Sequence, residues 1–280
     1  MKSKKMIKLI VSLCVLSCLN FIMYSNVSAL SRQIFITVKM NGNYIKTDVS
    51  PFIKDNRTYV SVRFVAEALD ATVDWVDEEK KVIIYGRTKY IELTVGSKEV
   101  MVNGEKQMMD AAAEISNGRT MVPLRFVSEN LDCNVKWDNL TYTVLINKEG
   151  AIIPEAYIYN RPYTDEDLIW LARIINVEGG GQSIDTKVAI ANVVLNRVKS
   201  PEFPDTVRDV IFDKEYCVQF PPAHREGFSE MVPHPECVIA AKMALEGINN
   251  IDKCLYFNNV PFKNKSKDFY KKIDGEYFYY

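Results

Sequence analysis

The residue with the clearest catalytic potential is Glu178, which closes the apolar segment DLIWLARIINVEG and precedes two further glycines, Gly180 and Gly181. The periodicity predicts a helix that ends near Glu178, where the helix dipole disfavours a negative charge. Apolar surroundings also disfavour the ionised form, so both effects raise the pKa of this carboxyl. A raised pKa suits a general acid, and glycines leave room for a substrate. A solvated glutamate at a helix end is the alternative interpretation.

A second group of side chains has metal-binding chemistry. The two histidines, His224 and His234, lie near Cys217 and Cys237, and two residues separate His234 from Cys237. The other intervals match no standard zinc motif, and a catalytic zinc would need an activating carboxylate. We therefore expect no metal and no cofactor, and keep a zinc site of these four residues as an alternative.

Two predicted helices would position Glu178. Thr164 and Asp167 form a capping-box pattern before the first helix. Its apolar face consists of Leu168, Leu171, Ala172 and Ile175. Ser183 or Asp185 caps the second helix, TKVAIANVVLNRVKS, which ends before Pro201. We expect left-handed or strained backbone at the glycines between the helices, because glycine adopts such backbone readily.

An internal repeat organises the first half of the chain. RTYVSVRFVAEALDATVDW begins at Arg57, RTMVPLRFVSENLDCNVKW begins at Arg119, and 11 of 19 positions are identical at an offset of 62. Each copy predicts a strand and tight turn, a short amphipathic helix and a β-hairpin. The equivalent positions of Trp75 and Trp137 favour core packing, with stacking on sugars as the alternative. Arg63 and Arg125 are expected to form buried salt links between helix and loop.

These paired R-T-x-V-x-x-R-F-V motifs resemble the copper amine oxidase N-terminal domain family over residues 35–147. The resemblance implies a non-catalytic stalk domain. Copper(II) favours imidazole ligands, and both histidines lie outside this region. We therefore expect no copper here.

The segment from Ala172 to Phe212, with VQFPPA at 218–223 and LYFNN at 255–259, resembles the SleB-type cell-wall hydrolase family over residues 165–280. The resemblance implies a mainly helical, lysozyme-like fold with a short β element. It also implies that Glu178 is the catalytic acid for the MurNAc–GlcNAc β-1,4 bond of peptidoglycan. Val260 replaces the family's proline, and Glu276 stands where a histidine is common.

The chemical route is open at this stage. A hydrolase with two carboxylates needs a second acidic group about 5–9.5 Å from the acid. Asp185 lies beyond the glycines, and no acidic residue stands among them. A lytic transglycosylase needs one carboxyl, and we favour this route over hydrolysis. Candidate substrate-binding residues are Gln219, Asn259 and Tyr256, with structural hydrogen bonding as the alternative for the two amides. Two other functions are kept: a zinc-dependent N-acetylmuramoyl-L-alanine amidase and a non-enzymatic cell-wall-binding protein.

The chain is therefore predicted to be α+β, with four segments. They are a signal peptide (1–29), a two-repeat stalk module (30–148), a linker (149–164) and a mainly helical catalytic domain (165–280). The cationic start, apolar run and Val27/Ala29 pair indicate export to the cell envelope. The expected partner is the peptidoglycan glycan strand, with membrane contact only through the export signal and an open oligomeric state.

The composition indicates a globular protein that does not bind nucleic acid, and the cysteine count leaves two states of the thiols open. A chain of 280 residues with 48% apolar residues, 35 basic and 36 acidic groups is globular and lacks the basic excess of a nucleic-acid binder. Cys133, Cys217, Cys237 and Cys254 remain after export. Disulfides or buried free thiols are both compatible with this count.

Overall fold

The computed structural model describes residues 36–215 and 218–280. It is α+β as predicted, with a sheet-rich amino-terminal module followed by a mainly helical domain. The predicted signal peptide lies outside the described residues. Within the described ranges, no helix has the length and apolar character needed to cross a membrane.

Each repeat folds into three short hairpins and one helix. The first contains β1 (Thr37–Met40), β2 (Asn43–Tyr44), β3 (Phe52–Lys54), β4 (Arg57–Ser61), α1 (Val62–Ala68), β5 (Thr72–Val76) and β6 (Lys81–Tyr85). After β7 (Tyr90–Thr94), the second contains β8 (Glu99–Val102), β9 (Glu105–Met108), β10 (Glu114–Ser116), β11 (Arg119–Pro123), α2 (Leu124–Asn130), β12 (Asn134–Asp138) and β13 (Thr143–Asn147). The elements agree with those expected from the repeated sequence.

A central sheet in the order β10-β11-β4-β3 joins the two repeats. β4 and β11 are equivalent strands that pair antiparallel, with Val60 opposite Val122. The two repeats are therefore related by an approximate twofold arrangement. They differ in their outer sheets, because β1 pairs directly and in parallel with β13, whereas β7 lies between β6 and β8.

The tight turns explain the repeated Asn-Gly pairs. Asn41 and Gly42 have φ values of 45° and 85°, and Asn103 and Gly104 have 53° and 83°. Two successive positive φ values are typical of the turn that matches the twist of a two-residue hairpin, and asparagine and glycine tolerate them best. The repeat thus sets strand register through its turns.

Two expectations for the repeat module are wrong. Trp75 is 37% exposed and Trp137 is half-buried, so neither belongs to the core. Arg63 and Arg125 form exposed pairs one helical turn away, with Glu67 at 4.0 Å and Glu129 at 3.9 Å, instead of buried links to a loop. Residues such as Val65 and Leu69 on the opposite helix face fill the core. The tryptophans and arginines are thereby left on the surface.

Among the described residues, four α-helices build the carboxyl-terminal domain: α3 (Asp165–Gly179), α4 (Ile184–Val198), α5 (Val207–Phe212) and α6 (Pro235–Leu245). Thr164 and Asp167 form the predicted capping box, and Ser183 caps α4. The predicted apolar face of α3 is buried, as is most of α4. A small sheet completes the domain, in the order β14 (Tyr256–Asn258), β16 (Glu276–Tyr279) and β15 (Phe269–Ile273).

The segment predicted as a linker packs against the repeat module. Ile158 bridges to Ile45, and the Tyr157 hydroxyl donates to Glu67 Oε2 at 2.7 Å. The helical domain contacts the same module through Lys242, which is buried and donates to Thr37 Oγ1 at 2.8 Å and to the Tyr142 carbonyl at 2.9 Å. Specific hydrogen bonds therefore connect the two parts.

Candidate active site around Glu178

Glu178 lies in the last turn of α3 and is half-buried. Burial raises the pKa of its carboxyl, the nearby charge of Glu276 raises it further, and Arg225 opposes both. Loss of water disfavours the charged carboxylate, and a like charge does the same. A carboxyl in this setting keeps its proton to higher pH than an exposed glutamate does, which is the requirement for a general acid.

Close packing against α4 requires a glycine directly after Glu178, at Gly179. A Cβ atom on Gly179 would lie 2.5 Å from Ile190 Cδ1 of α4, too close for any side chain without movement of its neighbour. Gly180 has ordinary right-handed helical backbone, with φ −54° and ψ −34°. None of Gly179, Gly180 and Gly181 has positive φ, so the expected left-handed backbone is wrong. Gly179 therefore lets α3 and α4 approach each other next to Glu178, whereas a Cβ on Gly181 would meet no atom within 4 Å.

The β15–β16 hairpin is anchored at the start of α4. Asp274 Oδ2 accepts hydrogen bonds from Ser183 Oγ and Thr186 Oγ1, both at 2.5 Å, and from the Ser183 backbone N–H at 3.4 Å. Charge-assisted bonds to a carboxylate are stronger than neutral ones. Because Ser183 follows the glycines closely in sequence, this anchor holds the hairpin over the end of α3.

Glu276, two residues after Asp274, begins β16 and is buried. Burial raises the pKa of its carboxyl. The structure thus brings a second carboxyl to Glu178 from 98 positions away in the sequence. Asp185, the acidic residue considered from sequence, is exposed in the first turn of α4. The second acidic group of this site is therefore Glu276.

A buried lysine fixes the loop between the two helices. Lys187 is 1% exposed, and its Nζ donates to the Gln182 carbonyl at 2.9 Å and to Glu236 Oε2 at 2.7 Å. The contact joins the loop after Glu178 to the first turn of α6. The loop that follows Glu178 is therefore held from α4, α6 and the hairpin.

Arg225 enters the site from the segment that follows Gln219. A short 3₁₀ turn, Pro221–His224, ends immediately before Arg225, which is exposed. Its guanidinium is close enough to lower the pKa of Glu178. A nearby cation favours the ionised form of a carboxyl.

The predicted substrate-binding residues occupy two segments near this hairpin. Tyr256 and Asn259 belong to or follow β14, which pairs with β16 through Asn258 and Tyr277. Asn259 follows the end of β14 in a bend and is exposed. Tyr256 is half-buried under Lys265, whose Nζ lies 3.9 Å from the ring centroid. Its neighbour Phe257 faces the core and stacks on Phe278.

Gln219 is half-buried, and its backbone N–H donates to the Asp213 carbonyl at 3.4 Å. It precedes the 3₁₀ turn that carries Arg225. Asn196 and Arg197 hold the backbone before β14 through the carbonyls of Asp252, Cys254 and Leu255. Asn196 and Arg197 thereby fix the backbone that leads into Tyr256.

The metal alternative gains no support from the described ranges, in which no group of three histidine, cysteine or acidic side chains could hold a metal ion. His234 caps α6, and His224 packs edge-on against Phe212 at 5.7 Å between ring centroids. Cys133, Cys237 and Cys254 are buried free thiols. Cys217, the fourth member of the proposed zinc and disulfide sets, lies outside the described residues.

Comparison with known families separates the two parts of the chain. Residues 39–146 match the copper amine oxidase N-terminal domain. Residues 181–279 match the family described as Cell Wall Hydrolase. The carboxyl-terminal part is a cell wall hydrolase domain. Glu178 lies three positions before the matched range of this domain, whereas Glu276 lies inside it.

Curated relatives are spore cortex-lytic enzymes. The Bacillus subtilis (strain 168) protein is 33% identical over 107 residues, which is 38% of this chain and 34% of the relative. The Halalkalibacterium halodurans protein is 43% identical over 51 residues, 18% of this chain and 16% of the relative. The chain therefore spans between 16% and 39% of the length of these curated relatives.

Solved structures with similarity carry related names. One is the catalytic domain of the germination-specific lytic transglycosylase SleB from Bacillus anthracis, at 28% identity and a TM-score of 0.38. It is matched over 44% of this chain and 100% of its own length. The other is the catalytic domain of the Bacillus cereus SleB protein, at 30% identity, a TM-score of 0.38, and 42% and 92% coverage.

Sequence reasoning missed Glu276 and Arg225 as members of the site. Glu276 had one signal, its departure from a common histidine, but nothing in the sequence paired it with Glu178. Arg225 directly follows the VQFPPA segment, so it could have been found as the first charged side chain after that motif and His224.

Proposed function

We propose that this protein is an exported enzyme that cleaves the MurNAc–GlcNAc glycosidic bond of peptidoglycan as a lytic transglycosylase. The single observation that carries the proposal is the half-buried Glu178, whose pKa is raised by burial and by Glu276, next to a cell wall hydrolase domain. The names of the relatives, spore cortex-lytic enzyme and lytic transglycosylase SleB, support the same chemistry.

In the proposed reaction, Glu178 protonates the glycosidic oxygen as the bond to the anomeric carbon of the muramic residue breaks. The resulting Glu178 carboxylate accepts the proton of the muramic 6-hydroxyl. That oxygen closes on the anomeric carbon and gives a 1,6-anhydro end. Atoms and protons balance without water, and the carboxyl returns to its starting state.

Glu276 has a supporting role in this proposal. Its charge favours the protonated form of Glu178 before cleavage, while Arg225 limits the rise in pKa so that the proton can still be donated. Gln219, Asn259 and Tyr256 are proposed to contact the sugar, from the segments on either side of the acid. The envelope, as spore cortex or cell wall, is the proposed location.

A second carboxyl also permits hydrolysis. Inverting and retaining glycosidases use two acidic groups, one of which activates water or forms a covalent bond. Glu276 is the observation that favours this second candidate, since it is the acidic group that the structure brings to Glu178.

Analysis of the products from purified peptidoglycan tests the proposal. We expect fragments with 1,6-anhydromuramic ends from the wild-type chain and none from a Glu178→Gln variant. Reducing muramic ends would instead establish hydrolysis, free stem peptides an amidase, and no products a binding protein. Parallel digestion of spore cortex and vegetative sacculi identifies the preferred polymer.

A further inference from the structure

Two clefts in the repeat module are built from equivalent residues of the two repeats. The Trp137 cleft, of about 610 Å³, is lined by Arg57, Asp110, Arg125, Trp137 and Tyr142 among others. The Trp75 cleft, of about 450 Å³, is lined by Asp48, Arg63, Trp75, Ile115 and Arg119 among others. Tryptophan, both arginines and the aspartate recur at the offset of 62 residues. Each cleft combines the turn of one repeat with the helix and hairpin of the other.

The tryptophan in each cleft offers an apolar face. Trp75 Nε1 donates to Asp77 Oδ1 at 3.1 Å, and Trp137 Nε1 donates to Asn139 Oδ1 at 2.6 Å. Because these contacts satisfy the indole N–H, the ring needs no polar partner from a ligand. An indole outside the core forgoes the stabilisation that its burial would provide. Because both repeats leave the tryptophan at this position outside the core, the two rings are typical of a binding surface.

The two arginines of each cleft differ in how firmly they are paired with a carboxylate. Arg57 and Arg119 are held by ion pairs with Asp110 and Asp48 at the cleft walls. Arg125 and Arg63 contact Glu129 and Glu67 only at the limit of an ion pair, and their side chains are 70% and 59% exposed. Exposed pairs of this length contribute little. A guanidinium so placed is available to a carboxylate, whose geometry it matches with two hydrogen bonds.

The clefts differ in strength. The Trp137 cleft has three basic and two acidic lining residues, and Tyr142 packs edge-on against its tryptophan at 5.4 Å between ring centroids. The Trp75 cleft has two basic and two acidic lining residues, Arg63 and Arg119 against Asp48 and Asp74. An anionic ligand is therefore favoured by the Trp137 cleft.

We infer that the Trp137 cleft, and more weakly the Trp75 cleft, bind a saccharide that carries carboxylates. The sugar's apolar face stacks on the indole, and a carboxylate of the attached stem peptide contacts Arg125 or Arg63. The identity of that saccharide as the peptidoglycan glycan strand rests on the proposed function. The repeat module would then hold the polymer that the hydrolase domain cleaves, and two clefts on one rigid module raise the effective concentration of the strand.

Binding to insoluble sacculi tests this inference. The full chain with Glu178→Gln is the parent, so that the polymer stays intact. We expect Trp137→Ala to weaken binding about tenfold, as removal of a central aromatic contact does, and Trp75→Ala to weaken it less. Tyr85→Ala is the matched control, because Tyr85 is an aromatic residue of the same module, 42% exposed and outside both clefts.

Arg125→Gln gives a second variant on an exposed helix face, where folding is insensitive to substitution. It should weaken binding to sacculi and leave binding to chitin, a neutral saccharide, unchanged. The inference is overturned when the parent does not bind sacculi, or when Trp137→Ala and Arg125→Gln bind as the parent does. Failure of the wild-type chain to cleave, with binding that depends on Trp137, would contradict the proposed function alone.

Discussion

The carboxyl site and the tryptophan clefts obtain their chemistry in opposite ways. At Glu178, burial determines the chemistry, because it raises the pKa of the Glu178 carboxyl and of the neighbouring Glu276 carboxyl. In the clefts, exposure determines the chemistry, because the side chains of Trp75 and Arg125 are accessible to a polymer. The first arrangement changes the reactivity of a side chain, and the second leaves side chains with ordinary properties. Substitutions should accordingly affect turnover at one region and polymer binding at the other.

The regions also differ in how their residues are brought together. The clefts use duplicated positions of the two repeats, so one set of equivalent contacts between the repeats produces both. The carboxyl site joins the end of α3 to a hairpin near the end of the described chain, and depends on the bonds from Ser183 and Thr186 to Asp274. A single broken contact therefore threatens the carboxyl site more than either cleft.

The largest expected effect is that of Glu178→Gln. Turnover should fall by more than about a hundredfold, because the amide cannot donate a proton to the leaving oxygen. Stability should rise at neutral pH: a carboxyl with a raised folded-state pKa loses stability as pH increases through that pKa, and the amide does not ionise. The rate of product formation measures the loss of turnover, and thermal unfolding measures the gain in stability.

Glu226→Gln serves as the control for Glu178→Gln, since Glu226 is an exposed glutamate of the same domain. Residual turnover above about a hundredth of wild type would remove Glu178 from the role of acid.

A smaller effect is expected for Glu276→Gln, which removes the like charge and keeps the shape. The pKa of Glu178 should fall, so the alkaline limb of the pH–rate profile moves to lower pH and turnover at neutral pH drops several-fold. A complete pH profile checks this, whereas one rate does not. An unchanged alkaline limb together with a large loss at all pH values would instead assign Glu276 a direct chemical role.

Asp274→Ala should have a weaker effect on turnover because it acts through the hairpin. Hydrogen bonds from Ser183 and Thr186 lower the pKa of Asp274. This carboxylate therefore stabilises the fold above its unfolded-state pKa, and that contribution is lost as pH falls through the folded-state pKa. Because Asp274 is exposed, we expect a loss of only about 1 kcal/mol at neutral pH and a few-fold decrease in turnover.

Denaturant unfolding at neutral and acidic pH measures that loss. The Asp274→Asn variant, which keeps one acceptor and removes the charge, should lie between wild type and alanine. Equal stability of wild type and alanine variant at neutral pH would show that the anchor is dispensable.

Local signals explain what could be predicted from the sequence. The capping box at Thr164, the Asn-Gly turns and the repeated helix depend on residues close in sequence, and all were predicted correctly. The pairing of Glu276 with Glu178 depends on a turn docking onto α4, which no periodicity reveals. Trp75 and Trp137 were misassigned because equivalent positions in two repeats suit a core residue and a duplicated surface site equally. The helix glycines were misread because close packing and positive φ demand the same residue.

The contact between the repeat module and the hydrolase domain supplies the smallest expected effect on turnover. Lys242 is buried where α6 meets the repeat module, and burial lowers its pKa from the ordinary 10.5 to about 7. Between these values the unfolded chain binds one more proton than the folded chain, so stability should rise with pH across this range. Lys242→Met should flatten the rise, leave turnover unchanged, and shift the unfolding free energy by only about 1–2 kcal/mol, since an apolar replacement avoids the cost of burying a charge.

Thermal unfolding from pH 6 to pH 10 tests this, with the exposed Lys253 changed to Met as control. Parallel stability curves for wild type and Lys242→Met would show that Lys242 stays charged at the junction between the repeat module and the hydrolase domain.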